Sequence, residues 1–513
     1  MARPKLTLDG TRLTLDQLLP VLRGEEVTLA VTQRARAAVR RARAVVDRHV
    51  EAGDVVYGLT TGFGKLKSVA IGRDDLEQLQ QNLVLSHCCG VGDPMPVNEV
   101  RAVQVLRLNG LVRGHSGVRV ETVDLLVRLF NAGFVPEVPQ QGSVGASGDL
   151  APLAHMAAAY LGHGRASIGG KLRGARAALR AAGEAPLVLG AKEGLALING
   201  TEVMKATGVG VWHRAVNLSK AADAVAALTI EALMGSARPF DARLAELKGS
   251  AGHARAAANV RACLEGSAVL PSHADCDRVQ DPYSMRCVPQ VHGAYKTALE
   301  HVGEVLACEL NAVTDNPVLF PDTGEVVSAG QFHGQPVSMV LDYLGLALCT
   351  LANVSERRIE QLVNPDLSHL PPFLATNPGL DSGLMIAQVA AAALASENKV
   401  YAHPASVDSV PTSANQEDHV SMGVTAARKA RTICDNVERV LGIELLAAGQ
   451  AREHHRQLRA GKGAQAAWRA LRRRVPPLDG DRFLHDDITA AVELVVSGEL
   501  VRVVERAAGT LQA

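Results

Sequence analysis

The chain has 513 residues, 47% of them hydrophobic and 21% charged, enough apolar material for a substantial core and too much for disorder to be the default. Lysine plus arginine equals aspartate plus glutamate at 53 each, so no basic excess points to a nucleic-acid partner. Aromatic residues are only 3%, and alanine and leucine fill much of the apolar fraction, so the fold class expected is mostly α, built on a long central helical bundle.

The opening Met-Ala-Arg-Pro-Lys-Leu-Thr-Leu lacks the long apolar core of a signal peptide. No run approaches the roughly 20 apolar residues of a membrane span, so a soluble, cytoplasmic protein with no membrane partner is expected. Residues 28 to 52 predict a helix, because Val39, Ala42, Val46 and Val50 recur at three- and four-residue steps beneath an Arg-rich face. The stretch Val55 to Gly64 then begins apolar and is broken by Gly58, Gly62 and Gly64, which marks a functional loop. A lone tyrosine there, Tyr57, reads first as structural. In Gln81 to Gly92, His87 closes an apolar segment before a glycine turn, where a histidine suits the negative end of a helix. Residues 100 to 131 form an amphipathic helical stretch interrupted at Gly114 and Gly117, and lead into Val135-Pro-Glu-Val-Pro139. The eight cysteines contain no Cys-x-x-Cys pair, and the adjacent Cys88 and Cys89 suit neither a zinc knuckle nor an easy disulfide. Reduced, mostly buried thiols are expected.

The stretch Gly142-Ser-Val-Gly-Ala-Ser-Gly-Asp-Leu-Ala-Pro-Leu-Ala-His155 is a glycine-rich loop running into a helix, whose start is marked by Asp149 and Pro152. It is not a phosphate-binding loop, since Asp149 and Leu150 stand where Lys and Ser or Thr would follow Gly148. It is not a nucleophile elbow either, since the fifth position around Ser147 is Asp149 instead of glycine. The tripeptide Ala146-Ser147-Gly148 permits another chemistry. The uncrowded Gly148 nitrogen can fold back on the Ala146 carbonyl, and Ser147 can lose water to leave an exocyclic methylene on an electrophilic five-membered ring.

Beyond this loop, residues 165 to 190 read as a surface excursion and Asn199-Gly200-Thr201 as a turn. In Gln280 to Gln290, Arg286 lies between two prolines in a polar turn, either as a solvated charge or as a bidentate partner for a carboxylate. Residues 296 to 316, 336 to 363 and 383 to 400 are long helical runs rich in small residues that let helices approach closely. Gly330 to Pro336 is a glycine-bounded loop, and Ser413 to Gly423 gathers Glu417, Asp418 and His419 just ahead of a helix. Adjacent residues point apart, so no metal is expected there. Arg472 to Arg474 and a last helix near 486 to 508 carry no recognisable chemistry.

The Gly142 to His155 stretch resembles the signature of the aromatic amino acid ammonia-lyases, which carry a methylidene-imidazolone group made from the chain itself. The resemblance extends over essentially the whole chain. It implies a ring formed from Ala146, Ser147 and Gly148, with no metal or diffusible cofactor. Tyr57-Gly-x-x-Thr-Gly-Phe-Gly64 is similar to the family's mobile lid loop, where the tyrosine is a catalytic acid or base. Asn199 corresponds to a residue beside the ring, Arg286 to the carboxylate clamp with Gln280 and Tyr283 near it, and Phe332 to an active-site segment. Ser86-His87 before Gly90-Val-Gly92, and Gln416-Glu-Asp-His-Val-Ser-Met422, resemble the family's histidine-specific branch, which implies His87 and Glu417 as contacts to an imidazole. Three positions depart from that branch: Val288, Gln331 and His292.

The resemblance further implies conversion of L-histidine to trans-urocanate and ammonia in a homotetramer with shared active sites. Tyr57 is the expected base with Glu417 as the alternative, and attack by the amine or by the imidazole stays open. Residues 1–200 are expected to form an N-terminal domain carrying the lid and ring loops, and 201–513 a helical-bundle domain with substrate-binding loops. A tyrosine- or phenylalanine-acting lyase or aminomutase, or a silent helical scaffold, would be the competing readings.

Overall fold

The computed structural model describes residues 4–62 and 71–513. Met1 to Arg3, and the Phe63-Gly64 end of the glycine-rich lid loop, lie outside the described residues. The fold is mostly α, with long helices at Glu202–Ala232, Val288–Glu309, Gln335–Val363 and Gly423–Arg452. The described strands are short, two to four residues each, and pair only in twos and threes. The chain divides into two compact units: residues 1–210, 303–342 and 404–428, and residues 211–302, 343–403 and 429–513.

In the first unit, the helix expected over 28 to 52 begins later. Thr28–Val31 is a strand, alternately half-buried and buried, that pairs in parallel with Lys5–Leu8. Thr32 then caps the Gln33–Ala52 helix by accepting the Ala35 N–H at 3.2 Å, and Gly53, in a left-handed conformation, ends it. Its Ala42, Val45 and Val46 join Leu59, Leu76, Ala191 and Leu319 in one core cluster. The break at Gly114 and Gly117 separates Val97–Val112 from Val120–Asn131. A side chain at Gly114 would press within 2.7 Å of the Ala38 backbone, so glycine is what allows this turn to lie against the Gln33–Ala52 helix. The 165 to 190 excursion contains a hairpin, Arg165–Ile168 with Lys171–Gly174, and the helix Ala175–Ala181.

In the second unit, Ala251–Leu264 packs against Val288–Glu309 at Gly252 and Gly293, where a Cβ on Gly293 would lie 2.6 Å from the His253 nitrogen. The single helix expected near 486 to 508 is two, Leu484–Val496 and Glu499–Ala508, divided at the left-handed Gly498. Two further expectations need correction. The Gln335–Val363 helix is long and apolar enough to cross a membrane, although 61% of its most apolar window is buried inside the protein. The cysteines are all free, yet only Cys263, Cys349 and Cys434 are buried, while Cys89, Cys276 and Cys308 are exposed in loops or on an outer helical face.

Candidate active site

The Gly142–Asp149 loop is a set of tight reversals. Gly145 O accepts the Gly148 N–H at 3.1 Å, which makes Ala146 and Ser147 the two central residues of a turn. Ser147 takes φ 48°, a left-handed conformation that a side-chain-bearing residue adopts at a cost of about 1 kcal/mol or more. Gly148 has φ 81° and lies against Gly200, whose carbonyl accepts the Asp149 N–H at 2.6 Å while its own N–H donates to Ser147 O at 3.3 Å. A Cβ on Gly148 would collide with that Gly200 carbonyl, so the backbone approach itself requires glycine.

Several helix N-termini meet this turn. Leu150–Tyr160 starts directly after it, Glu202–Ala232 starts two residues past Gly200, and Gly423–Arg452 follows Met422, whose N–H donates to Val144 O at 2.9 Å. Gln335–Val363 follows Gly334, which touches Met204 and Ser421. Their aligned amide dipoles put positive potential on Ala146-Ser147-Gly148 and favour negative charge developing there. Asp149 does not cap its own helix: its Oδ2 accepts Val203 N–H at 2.7 Å and Met204 N–H at 3.1 Å and so caps the Glu202–Ala232 helix. Full burial pushes this carboxyl up to about 7, helped by the Glu202 charge and opposed by the two amide hydrogen bonds and Lys205.

Around the turn lie buried polar atoms without a protein partner: Asp149 Oδ1, Asn199 Oδ1, Thr201 Oγ1, Glu417 Oε2 and Ser421 Oγ. A turn opened by glycines and ringed by unpaired donors and acceptors fits a group formed in the turn and a polar ligand beside it. Asn199 is held from below, its carbonyl accepting Arg107 Nη1 at 2.7 Å and its Nδ2 donating to Asn316 O at 3.0 Å. Arg107 in turn pairs with Glu202 at 3.1 Å; burial pushes that carboxyl up, but Arg107 and Lys205 outweigh burial and hold it below its ordinary value.

The loops that carry the other expected residues of this unit make the following contacts. Gly58 beside Tyr57 abuts Pro317 and Leu195, near the end of the Glu193–Ile198 helix that delivers Asn199. His87 is the C-terminal cap of Leu76–Ser86, with its Nδ1 3.2 Å from the Ser86 hydroxyl. Burial lowers the His87 pKa, and the nearby Glu417 charge pulls it back, which places the two within electrostatic reach of each other. Phe332 is half-buried, and its neighbour His333 stacks on His419 with ring centroids 5.8 Å apart. That contact ties the Phe332 loop to the Glu417 loop. Among the described residues no three His, Cys, Asp or Glu side chains group as metal ligands.

Gln280, Tyr283 and Arg286 belong to the second unit. The Arg286 guanidinium lies 4.5 Å over the Tyr283 ring and its Nε donates to Asp281 O at 2.9 Å. Tyr283 is 71% exposed. Beneath this turn, Arg358 reaches the Ser284 carbonyl while its other nitrogens bind Glu444, both fully buried, and His292 lies 3.4 Å from it. His292, which departs from the sequence pattern, is thus a core residue held by Asp223 at 2.7 Å. Sequence reasoning missed Asp149's carboxylate, Arg107, Lys192, Glu202 and Asp315. Their signal was there, as charged residues within stretches otherwise fit for a core.

A sequence profile of the family described as aromatic amino acid lyase matches residues 13–473. A Symbiobacterium thermophilum protein named histidine ammonia-lyase is 54% identical over 504 residues, which cover 98% of this chain and 99% of that one. The crystal structure of histidine ammonia-lyase from Trypanosoma cruzi superposes with TM-score 0.91 at 43% identity, covering 98% of this chain and 95% of that one. Tyrosine aminomutase from Streptomyces globisporus superposes with TM-score 0.94 at 36% identity, over 99% and 100%. Full-length identity at this level, together with the glycine-built turn the profile spans, makes the chain a lyase that belongs to the aromatic amino acid lyase family.

Proposed function

We propose that this chain eliminates ammonia from L-histidine to give trans-urocanate. The names of its relatives support that substrate. The observation that carries it is that Glu417, on a loop tied to the Phe332 loop by the His333–His419 stack, keeps a buried oxygen without a protein partner, with His87 within range of its charge. A neutral imidazole and a carboxylate with one oxygen unpartnered complement the two ring nitrogens of histidine, whereas a phenyl ring would leave both unpaired at high cost. Attack of the Gly148 nitrogen on the Ala146 carbonyl carbon, with loss of two waters, the second taking the Ser147 hydroxyl, would leave a methylidene-imidazolone that acts as electron acceptor toward the substrate's amine or ring. The converging helix N-termini favour negative charge at that position.

Tyr57 removes the β-proton in this reading, with Glu417 as the second candidate. Arg286 binds the α-carboxylate, assisted by Tyr283 and Gln280, and Asn199 and Phe332 border the substrate. We read the assembly as a cytoplasmic homotetramer with shared sites; the exposure of Tyr283 in the single chain supports a role in completing a neighbouring copy's pocket. No metal or diffusible cofactor takes part in this reading. The likeness to tyrosine aminomutase favours one second reading, action on tyrosine. Ammonia release and ultraviolet absorbance of a conjugated product, measured with L-histidine, L-tyrosine and L-phenylalanine and with Ser147→Ala as control, decide between them. Histidine alone should react and the control should be inactive; turnover of tyrosine instead would overturn the assignment of His87 and Glu417.

A further inference from the structure

The strongest feature left unused by this reading is the buried ion pair between Lys192 and Asp315. Its atoms lie 2.7 Å apart, and both side chains are fully buried. A buried ion pair adds little to stability compared with an apolar pair of the same volume, so its presence calls for another explanation. Lys192, in a left-handed conformation, opens the six-residue helix Glu193–Ile198, and Asn199 ends it. Asp315 is bonded at both of those ends. It receives the Lys192 ammonium, and its Oδ1 accepts the Asn316 N–H at 2.7 Å and lies 3.4 Å from Asn199 Nδ2.

These contacts decide which way the Asn199 amide faces. Asn316 O, at 3.0 Å, can only accept a hydrogen bond, and an Asp315 carboxylate paired with Lys192 can likewise only accept. The Asn199 nitrogen must therefore face them, and its Oδ1 must face away. That oxygen is buried and has no protein partner, an unfavourable state unless a ligand supplies a donor. Were Asp315 protonated or replaced by an amide, it could donate to Asn199, and the amide could turn over. We infer that Lys192 and Asp315 are positioning residues that keep the Asn199 carbonyl oxygen turned toward the substrate's α-ammonium group. The inference rests on the amino acid elimination proposed above, and it adds a recognition of the amine that is separate from recognition of the ring and the carboxylate.

The test compares two probes: L-histidine as substrate, and 3-(imidazol-4-yl)propanoate, which keeps the ring and carboxylate but lacks the amine, as competitive inhibitor. In Asp315→Asn, kcat/KM for histidine should fall about 10- to 100-fold, the range of a hydrogen bond to a charged group, while Ki for the inhibitor moves less than about threefold. Lys192→Met/Asp315→Asn, which leaves no buried charge unpaired, should give the same split if the single variant folds poorly. Intact mass establishes that the Ser147 turn has lost its waters in each variant. A Ki that rises in step with the loss of kcat/KM would mean general disorder of the site and overturn the inference, as would two unchanged constants. Wild-type turnover keeps the two readings apart: if tyrosine or phenylalanine is the substrate, the proposed function falls, and the same ratio is measured with that amino acid and its deaminated analogue. If the wild type acts on none of the three, both fall.

Discussion

Asp149 carries an unusual load for a single side chain. It follows the Ala146-Ser147-Gly148 tripeptide, caps the Glu202–Ala232 helix through two amides, and is buried with one oxygen unpartnered. Because burial raises its carboxyl to about 7 against an unfolded value near 3.8, the folded protein holds a proton across that interval that the unfolded chain has released. Stability from this group is therefore intact below about pH 4, declines as pH rises through the interval, and is fully lost above about pH 7, by on the order of a few kcal/mol. Asp149→Asn keeps an oxygen for Val203 and Met204 and has no charge to bury. Urea unfolding at pH 5 and pH 8 should show wild type losing stability relative to the variant at the higher pH; parallel behaviour would mean that Glu202 and Lys205 compensate the charge. None of this was legible in the sequence, which marks Asp149 only as a helix start. Its partners lie 54 and 55 residues further along, and Asp315 lies 123 residues from Lys192. The tripeptide's possible chemistry could be read from adjacent letters, whereas Tyr57, His87 and Glu417 were named only through the resemblance, and the residues packed around the turn are distant in sequence and defined only by the fold.

Helices were read well where composition alone decides. The runs near 336 to 363 and 383 to 400 match Gln335–Val363 and Met385–Tyr401 to within two residues, since an unbroken apolar and alanine-rich stretch has no competing signal. The run expected over 296 to 316 is instead Val288–Glu309, and another misreading lies where two periodicities adjoin. Thr28–Val31 has only four residues of strand pattern before the helical pattern begins, and its pairing with Lys5–Leu8 is a contact between distant segments. Close packing was legible only as a tendency of small residues. In the second unit it becomes specific, since Gly252 and Gly293 bring two helix backbones into direct contact. Gly293→Ala adds one methyl against the His253 backbone, which has no rotamer by which to yield, although alanine is the better helix former in isolation. The expected outcome is destabilisation by about 1–3 kcal/mol, read as a lower melting temperature. A melting temperature that rises would show that helix propensity outweighs the contact.

Taken as a single chain, the molecule leaves several large apolar side chains exposed. Val279 is 95% exposed, Leu380 84% and Ile386 64%, all in the second unit, which also holds Tyr283 and Arg286. Large exposed apolar positions favour burial against another copy, and in the proposed assembly one chain's Arg286 would serve another chain's Ser147. The prediction is complementation. Ser147→Ala prevents the proposed electrophile from forming and Arg286→Met removes the proposed carboxylate partner, so each variant alone should be inactive. Co-expressed and randomly mixed, a site that draws these residues from two different chains finds both intact about one time in four. Purified mixed assemblies should then recover about a quarter of wild-type ammonia release. If both residues came from one chain, every site would contain one defect whatever the mixture, and activity would stay at the level of the parents. Recovery therefore distinguishes a shared site from a merely oligomeric one, which a measurement of assembly size does not.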